Sequence, residues 1–402
     1  MTNTATAPRP DAAPPIARHY GMDWLRIAAF ALLILYHIGL VYAPWNFHVK
    51  SPHVADWVVV PMLALNAWRL ALLFVVSGYA TRALLRRAGG VTAFARNRTV
   101  RLVVPLLFGV IVVVPPQPWI ELVTKHGYGF GLPHFWIHDY FRFGTLDGLV
   151  LPTWNHLWFV GYLWVYTMAL AVLIALVRTP WLQRVFDRAF GGVGVLVLPL
   201  AWLLAVHLRW FPMRGETHAL FDDPVAHAIY LPAFLFGFGL ARSAAAMAAI
   251  RRWWKVAGLA AIAGYGVKAA AELNWPGAIP IARDFLPVYL SAHSVQQWGA
   301  IVALIGLADR FLDRDHPRRT MLTEAVFPFY LIHQTIIVAV VWALRRFAPS
   351  APIEFTITLA ATVAGCWAFY LAGRRIGWLR PLIGLRPRLE PRAMPARVAN
   401  QS

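Results

Sequence analysis

Arg26 and His37 stand eleven positions apart in MDWLRIAAFALLILYHIG (22–39), a stretch otherwise apolar enough to cross a bilayer. Ionisable side chains at such depth cost roughly 2.5–3.5 kcal/mol each on insertion scales, so they mark a pathway, a relay or a reactive group. A helix turns about 100° and rises about 1.5 Å per residue, which brings Arg26 and His37 to one face roughly 16 Å apart in depth. Asp23 lies one turn before Arg26 on nearly the same face, and Phe30 and Leu33 fill the stripe between. Anchoring explains the first pair well, because arginine snorkels and an aspartate favours a helix start or pairs with the arginine. It explains His37 poorly. An imidazole that deep is either a hydrogen-bonded core residue or, with its near-neutral ordinary pKa, a proton acceptor.

Other segments supply polar groups that suit such an acceptor. Arg69 enters the second apolar run, whose LFVVSGYATR places Ser77, Gly78 and Tyr79 near its far end, with Arg82 following. In RNRTVRLVVP, Arg98 and Arg101 are three apart, on one helical face and suited to phosphate oxygens, although orientation of the chain alone would also put arginines there. Histidines stand beside aromatics in NHLWFVGYLW (His156, Trp158) and in FPFYLIHQT (Tyr330, His333). Lys268 and Glu272, four apart, read as a snorkelling ion pair. His134 and His138 share a face only if their segment is helical, and two histidines are a weak metal signal. The single cysteine, Cys366, excludes an internal disulfide and any multi-cysteine metal site.

The elements that must position these groups are membrane helices. Of 402 residues 59% are hydrophobic and only 14% charged, which predicts an all-α, polytopic helical bundle. Ten runs approach the ~20 residues a span needs, near 22–43, 57–80, 101–116, 156–177, 191–209, 226–241, 255–272, 286–308, 325–345 and 354–373. With both termini cytoplasmic, most of the 37 Lys and Arg residues fall in inner tails and loops, as the positive-inside rule requires. The same asymmetry accounts for the net charge of +19 against an anionic leaflet, with no nucleic-acid partner. The reading gives a cytoplasmic N-terminal tail (1–21), a transmembrane domain (22–375) and a basic cytoplasmic C-terminal tail (376–402). The first tail lacks the apolar core and cleavage site of a removable signal peptide, so the first helix is expected to stay as an anchor. One connection is long: 117–155, predicted to face outward, carries too many aromatics for a solvated tail and is expected to fold as a cap. Those rings either lie at headgroup level or stack on a sugar.

The segments MDWLRIAAFALLILYHIGLVYAPWNFHV, WRLALLFVVSGY, RNRTVRLVVP, HLWFVGYL, LPAFLFGFGLA and FPFYLIHQT, in that order over most of residues 20–335, together resemble the membrane-bound acyltransferase 3 family. The extended first block, with His48 after the helix, looks most like the branch that succinylates periplasmic glucans. Gln334 departs from that branch, which carries a second histidine there, so the acyl group and the acceptor stay open. The resemblance implies O-acylation of a carbohydrate hydroxyl from cytoplasmic acyl-CoA, acetyl-CoA or succinyl-CoA, by a multi-pass protein of the bacterial inner membrane. It implies that His37 is the general base and that Arg26, also counted as catalytic, lies along the donor's path and positions His37 through water or the thioester carbonyl. Arg98 and Arg101, with Arg82 and Ser77, would hold the donor, while His156, Trp158, Tyr330, His333, Arg69 and His48 would line the acceptor chamber. No permanently bound cofactor or metal is expected. Direct transfer is favoured, since neither Ser77 nor Cys366 makes a convincing nucleophile. A proton-coupled transporter would equally need His37 and Arg26 in a central cavity, but no similarity between chain halves supports one. A structural subunit would use the same polar groups only for helix contacts.

Overall fold

The structure, a computed structural model, describes residues 19–177 and 179–387. Of the expected tails, 1–21 and 376–402, residues 1–18 and 388–402 lie outside the described residues. Among those described, eight helices are long and apolar enough to cross a membrane. Two of the ten expected runs fall outside that set. They are helical too, as Pro224–Leu240, which has 17 residues, and Leu286–Leu307, whose centre carries His293, Ser294, Gln296 and Gln297.

Helix α1 (Tyr20–Tyr42) ends where Lys50 folds back on it, the ammonium donating to Leu40 O at 2.6 Å, Trp45 O at 2.9 Å and Ala43 O. A cation there satisfies carbonyls that the last turn leaves unpaired. The second run divides into α2 (Val59–Asn66) and α3 (Arg69–Arg87), interrupted at Ala67 and Trp68. At that break the Trp68 indole donates to Ala64 O at 2.7 Å and Arg69 Nη1 reaches Asn66 Oδ1 at 3.1 Å.

The third run is longer than expected. Helix α4 (Val91–Phe108) passes through a wide turn at Gly109–Val113 into α5 (Pro116–Glu121). The wide turn leaves carbonyls that the following segment and α14 (Arg319–Leu344) take up, since an i→i+5 turn disturbs the regular ladder. Trp136 donates to Ile111 O at 2.9 Å, Tyr140 to Val110 O at 2.9 Å, and Thr335 Oγ1 to Val113 O at 2.8 Å. Residues 117–155 thus form an ordered cap with its own core of Leu122, Phe135, Tyr140 and Leu151. It contains α6 (Leu132–His134) and an antiparallel hairpin, β1 (Gly144–Leu146) and β2 (Leu149–Leu151). Asp147 and Gly148 join the strands with φ of 47° and 84°, the left-handed pair that a two-residue hairpin turn demands.

The chain continues through α7 (Trp158–Leu176), α8 (Thr179–Phe190), α9 (Gly194–Arg209) and α10 (Phe211–Arg214). Then follow α11 (Pro224–Leu240), α12 (Ala244–Asn274), α13 (Leu286–Leu307), α14 (Arg319–Leu344), α15 (Ala351–Arg375) and α16 (Leu379–Leu382). Side-chain caps start two of them: Asp223 accepts Ala226 N at 3.1 Å on α11, and Ser243 accepts Ala246 N at 3.0 Å on α12. Helices α3 and α11 cross closely because Gly78 faces Phe234 O and Gly237 faces Val75 O, where a Cβ would meet carbonyl oxygen. Helix α1 packs on α14 and α3, which directs the His37 face toward α14. Past α15 the chain returns to the bundle, burying Ile383 and Leu385 in the main core.

Candidate active site

Three of the sequence-selected histidines converge in the half of the bundle nearer the cap. His333 Nε2 lies 3.2 Å from His37 Nδ1, and the His156 and His333 ring centroids are 5.1 Å apart. Their hydrogen bonds assign the tautomers. His333 Nδ1 is 2.8 Å from Tyr330 O, so that nitrogen carries hydrogen and Nε2 offers a lone pair. His37 Nδ1, 2.9 Å from Leu33 O, must then be the donor, shared between the carbonyl and His333. This leaves His37 Nε2 as a lone pair with no protein partner among the described residues. His156 Nε2 donates to Tyr330 O at 3.1 Å and Leu331 O at 3.2 Å, and its buried Nδ1 has no partner. Tyr330 closes the group by donating its hydroxyl to His156 O and setting its ring against Phe30, edge-on at 5.6 Å.

Arg69 joins from the α2–α3 break. Its guanidinium stacks on the Tyr36 ring at 3.3 Å, and Tyr36 donates to Asn66 Oδ1 at 3.2 Å. Trp158 stacks on His218 at 4.2 Å between ring centroids and packs on Tyr230, so it forms an aromatic wall beside the histidines.

A second polar chain runs from His48 beneath the cap. His48 Nδ1 donates to Glu121 Oε2 at 2.6 Å, and Glu121 Oε1 receives Lys125 at 2.7 Å. On the other ring edge Gln334 Nε2 stands 3.0 Å from His48 Nε2 and 2.9 Å from Gln117 Oε1, which Asn155 also donates to at 2.9 Å. Gln334 therefore occupies the place next to His333 with an amide that holds His48 rather than with another imidazole. In the cap, burial and a hydrogen bond to Asp139 push the Tyr128 phenol up, and burial alone raises Tyr140. Beside the first helix, burial and the nearby Lys125 charge lower the Lys50 ammonium to about 8.

At the opposite end of α1, Arg26, Arg98 and Arg101 lie within electrostatic reach of one another, and Arg386 reaches Arg101. Arg98 Nε is buried without a hydrogen-bond partner. Asp23, one turn before Arg26 and within electrostatic reach of it, gives its Oδ2 to Arg319 at 2.6 Å and so ties α1 to the start of α14. Arg82 is not part of this group: it packs on the Phe238 ring at 4.3 Å with Arg242 and Arg86 as its charged neighbours. Ser77 offers its carbonyl to Thr81 at 2.7 Å. The arrangement as a whole sets an imidazole held by a second imidazole at one depth and a cluster of arginines at another.

The acyltransferase 3 profile, an acyltransferase domain, matches residues 19–371. The chain belongs to the acyltransferase 3 family. It is similar to Glucans biosynthesis protein C of Escherichia coli O6:K15:H31 (strain 536 / UPEC), 28% identical over 153 residues, 38% of each chain. The counterparts from Escherichia coli O1:K1 / APEC and strain K12 / DH10B match with the same identity and coverage. The match spans 38% of the length of these curated relatives. No solved structure matches.

For this membrane acyltransferase, one sequence expectation is overturned and several residues are added. Lys268 does not pair with Glu272. Its amine is buried, 1% exposed, and donates to His293 Nδ1 and Gln296 Oε1 at 3.1 Å each, while Glu272 turns to Gly277 N. The i, i+4 rule describes exposed helix faces, and here the Lys268 face is covered by α13. Glu121, Gln117, Asn155 and Gln296 carried no role in the sequence. The available signal was that Glu121 is the lone carboxylate between Arg101 and Asp139, set at the end of an apolar run. His134 and His138 do come together, with rings 4.7 Å apart, but no group of three or more metal-ligating side chains occurs among the described residues.

Proposed function

We propose that this chain is a bacterial inner-membrane O-acyltransferase that moves an acetyl or succinyl group from cytoplasmic acyl-CoA to a carbohydrate hydroxyl, with a periplasmic glucan as the acceptor. The observation that carries this reading is the His333–His37 hydrogen bond, which fixes the His37 tautomer and leaves Nε2 as the open lone pair. In the proposed step the acceptor oxygen attacks the thioester carbon while His37 Nε2 takes its proton. The C–O bond forms, the C–S bond breaks, and the thiolate of coenzyme A leaves. General-base assistance of this kind is typically worth 10²–10⁴-fold.

The arginines at the other end of α1 support the donor assignment. Arg98, Arg101 and Arg26 would grip the phosphates of coenzyme A, whose oxygens suit guanidinium donors. His156 and Tyr330 would hold the His333 side of the site in place, while His48, Trp158 and Arg69 would face the acceptor. The glucan acceptor rests on the relatives' name, Glucans biosynthesis protein C.

The test supplies labelled acetyl-CoA and succinyl-CoA, together with glucans, to membranes holding wild type or His37→Ala. Transfer is expected in wild type and absent in the variant at equal protein level. Transfer retained by the variant would remove His37 as base. Proton-linked uptake of a solute without acylation would favour the transporter instead.

A further inference from the structure

Arg69 and Lys268 are both enclosed, 6% and 1% exposed, on helices α3 and α12. Their charges lie within electrostatic reach of each other, and that of Arg69 also reaches His37. Among the described residues neither forms an ion pair with a carboxylate. Arg69 spends Nη1 on Asn66 and its flat face on Tyr36, and its Nε is buried without a partner. Lys268 meets only uncharged acceptors, His293 and Gln296. Gln296 is itself fixed, since its amide donates to Leu63 O at 2.9 Å at the end of α2, just before the break that carries Arg69. The neighbouring acids are engaged elsewhere: Glu216 takes the Tyr230 hydroxyl at 2.8 Å, and Glu272 takes Gly277 N.

Buried charges are as a rule paired, because an uncompensated one forfeits its hydration with nothing in return. Two like charges enclosed together, one with an open donor, lack an anion that the protein does not supply. We propose that Arg69 and Lys268 form a receptor for a carboxylate borne by the substrate, adjoining the His37 base. The guanidinium edge matches a carboxylate in plane, and the ammonium adds a point charge from α12. This rests on the acyl-transfer reading, which assigns the phosphates of coenzyme A to the distant Arg26, Arg98 and Arg101. An anion held beside His37 then belongs to the reacting parts: the far end of a dicarboxylic acyl group, or an acidic sugar on the acceptor.

The experiment uses the full chain, purified in detergent. Wild type, Arg69→Gln and Lys268→Gln each receive succinyl-CoA and acetyl-CoA with a neutral glucan. They also receive acetyl-CoA with a neutral or a glucuronate-bearing glycan. The readout is the ratio within one variant, so a general loss of turnover cancels. A wild-type preference for succinyl over acetyl that falls roughly 10–100-fold in both variants places the carboxylate on the acyl group, as loss of charge-assisted hydrogen bonds predicts. The same fall confined to the glucuronate ratio places it on the acceptor. Unchanged ratios overturn the receptor and leave the acyltransferase reading standing, whereas absence of transfer from any donor removes both. Should the variants be inactive throughout, thermal unfolding with succinate against succinamide decides. Wild type is expected to be stabilised by succinate alone and the variants by neither, and equal stabilisation of wild type by both compounds overturns the receptor.

Discussion

His333 Nε2 accepts a hydrogen bond from His37 Nδ1 at 3.2 Å, and this contact links the middle of α14 to the first helix. The Nδ1 of His333 is committed to Tyr330 O, so its remaining lone pair selects which nitrogen of His37 stays open. If His37 is the base, His37→Ala lowers kcat by about 10²–10⁴-fold. His333→Phe lowers kcat by a smaller factor, on the order of 10, with KM for both substrates little changed, because the base survives with a less defined tautomer. Steady-state kinetics on the two purified variants separate these expectations, and a larger loss in the His333 variant would reverse the roles.

Donor binding is expected to depend on Arg98. Arg98→Ala raises KM for acyl-CoA by roughly 10-fold or more with a modest change in kcat, as expected when a charge-assisted phosphate contact is lost. Rising salt should weaken wild-type donor binding, because mobile ions screen the attraction between the donor's phosphates and the arginine cluster. A variant with unaltered donor KM would detach the arginine cluster from coenzyme A.

Glu121 anchors His48 at 2.6 Å, and Gln334 meets the other edge of the same ring. Glu121→Gln keeps the size of the side chain but removes the charge that receives His48 and Lys125. The expected result is an acceptor KM raised about 10-fold, near the cost of one charged hydrogen bond, while donor KM stays put. Equal shifts in both would indicate a general loosening of the cap.

Helix crossing sets a separate, structural expectation. At Gly78 a Cβ would press on Phe234 O, and at Gly237 on Val75 O. Gly78→Val and Gly237→Val each overpack the α3–α11 contact and destabilise by about 1–3 kcal/mol, read as a lower unfolding temperature in detergent. Unchanged melting would mean that the two helices can part without cost.

Lys50 provides a pH-dependent observable outside the spans. With its ammonium lowered to about 8, the amine is largely neutral and nucleophilic above that pH, whereas an ordinary lysine remains protonated to about 10.4. Labelling with an amine-reactive reagent, followed residue by residue by mass spectrometry, should reach half its maximum near pH 8 at Lys50. The sign also applies to stability: between the folded and unfolded values the unfolded chain binds more protons, so this group favours folding as pH rises through that window. A midpoint near the ordinary lysine value would show that the enclosure of Lys50 is lost in solution.

Much of the site was legible in the chain because helical geometry is local. The Arg26 to His37 stripe follows from the turn of a helix, and its filling by Phe30 and Leu33, both buried, agrees with that phase. The cap was foreseen from its aromatics, yet its attachment was not, since the carbonyls of Val110 and Ile111 become available only after α4 widens into the i→i+5 turn. Lys268 shows the converse failure. Four-residue spacing to Glu272 says which side chains are neighbours on one helix, but not that α13 covers them and offers His293 and Gln296 in exchange.

By itself, then, the sequence determined the membrane-helical class, the face shared by Arg26 and His37, and the paired arginines of RNRTVR, because hydropathy and spacing act within one helix. Only the tertiary structure decided that His333 fixes the His37 tautomer, that Glu121 and Gln334 hold His48, and that Arg69 and Lys268 come within electrostatic reach of each other with neither ion-paired to a carboxylate among the described residues. Those relationships join residues far apart in the chain, and they depend on which faces the helices turn to one another when glycine pairs such as Gly78 and Gly237 let their backbones meet.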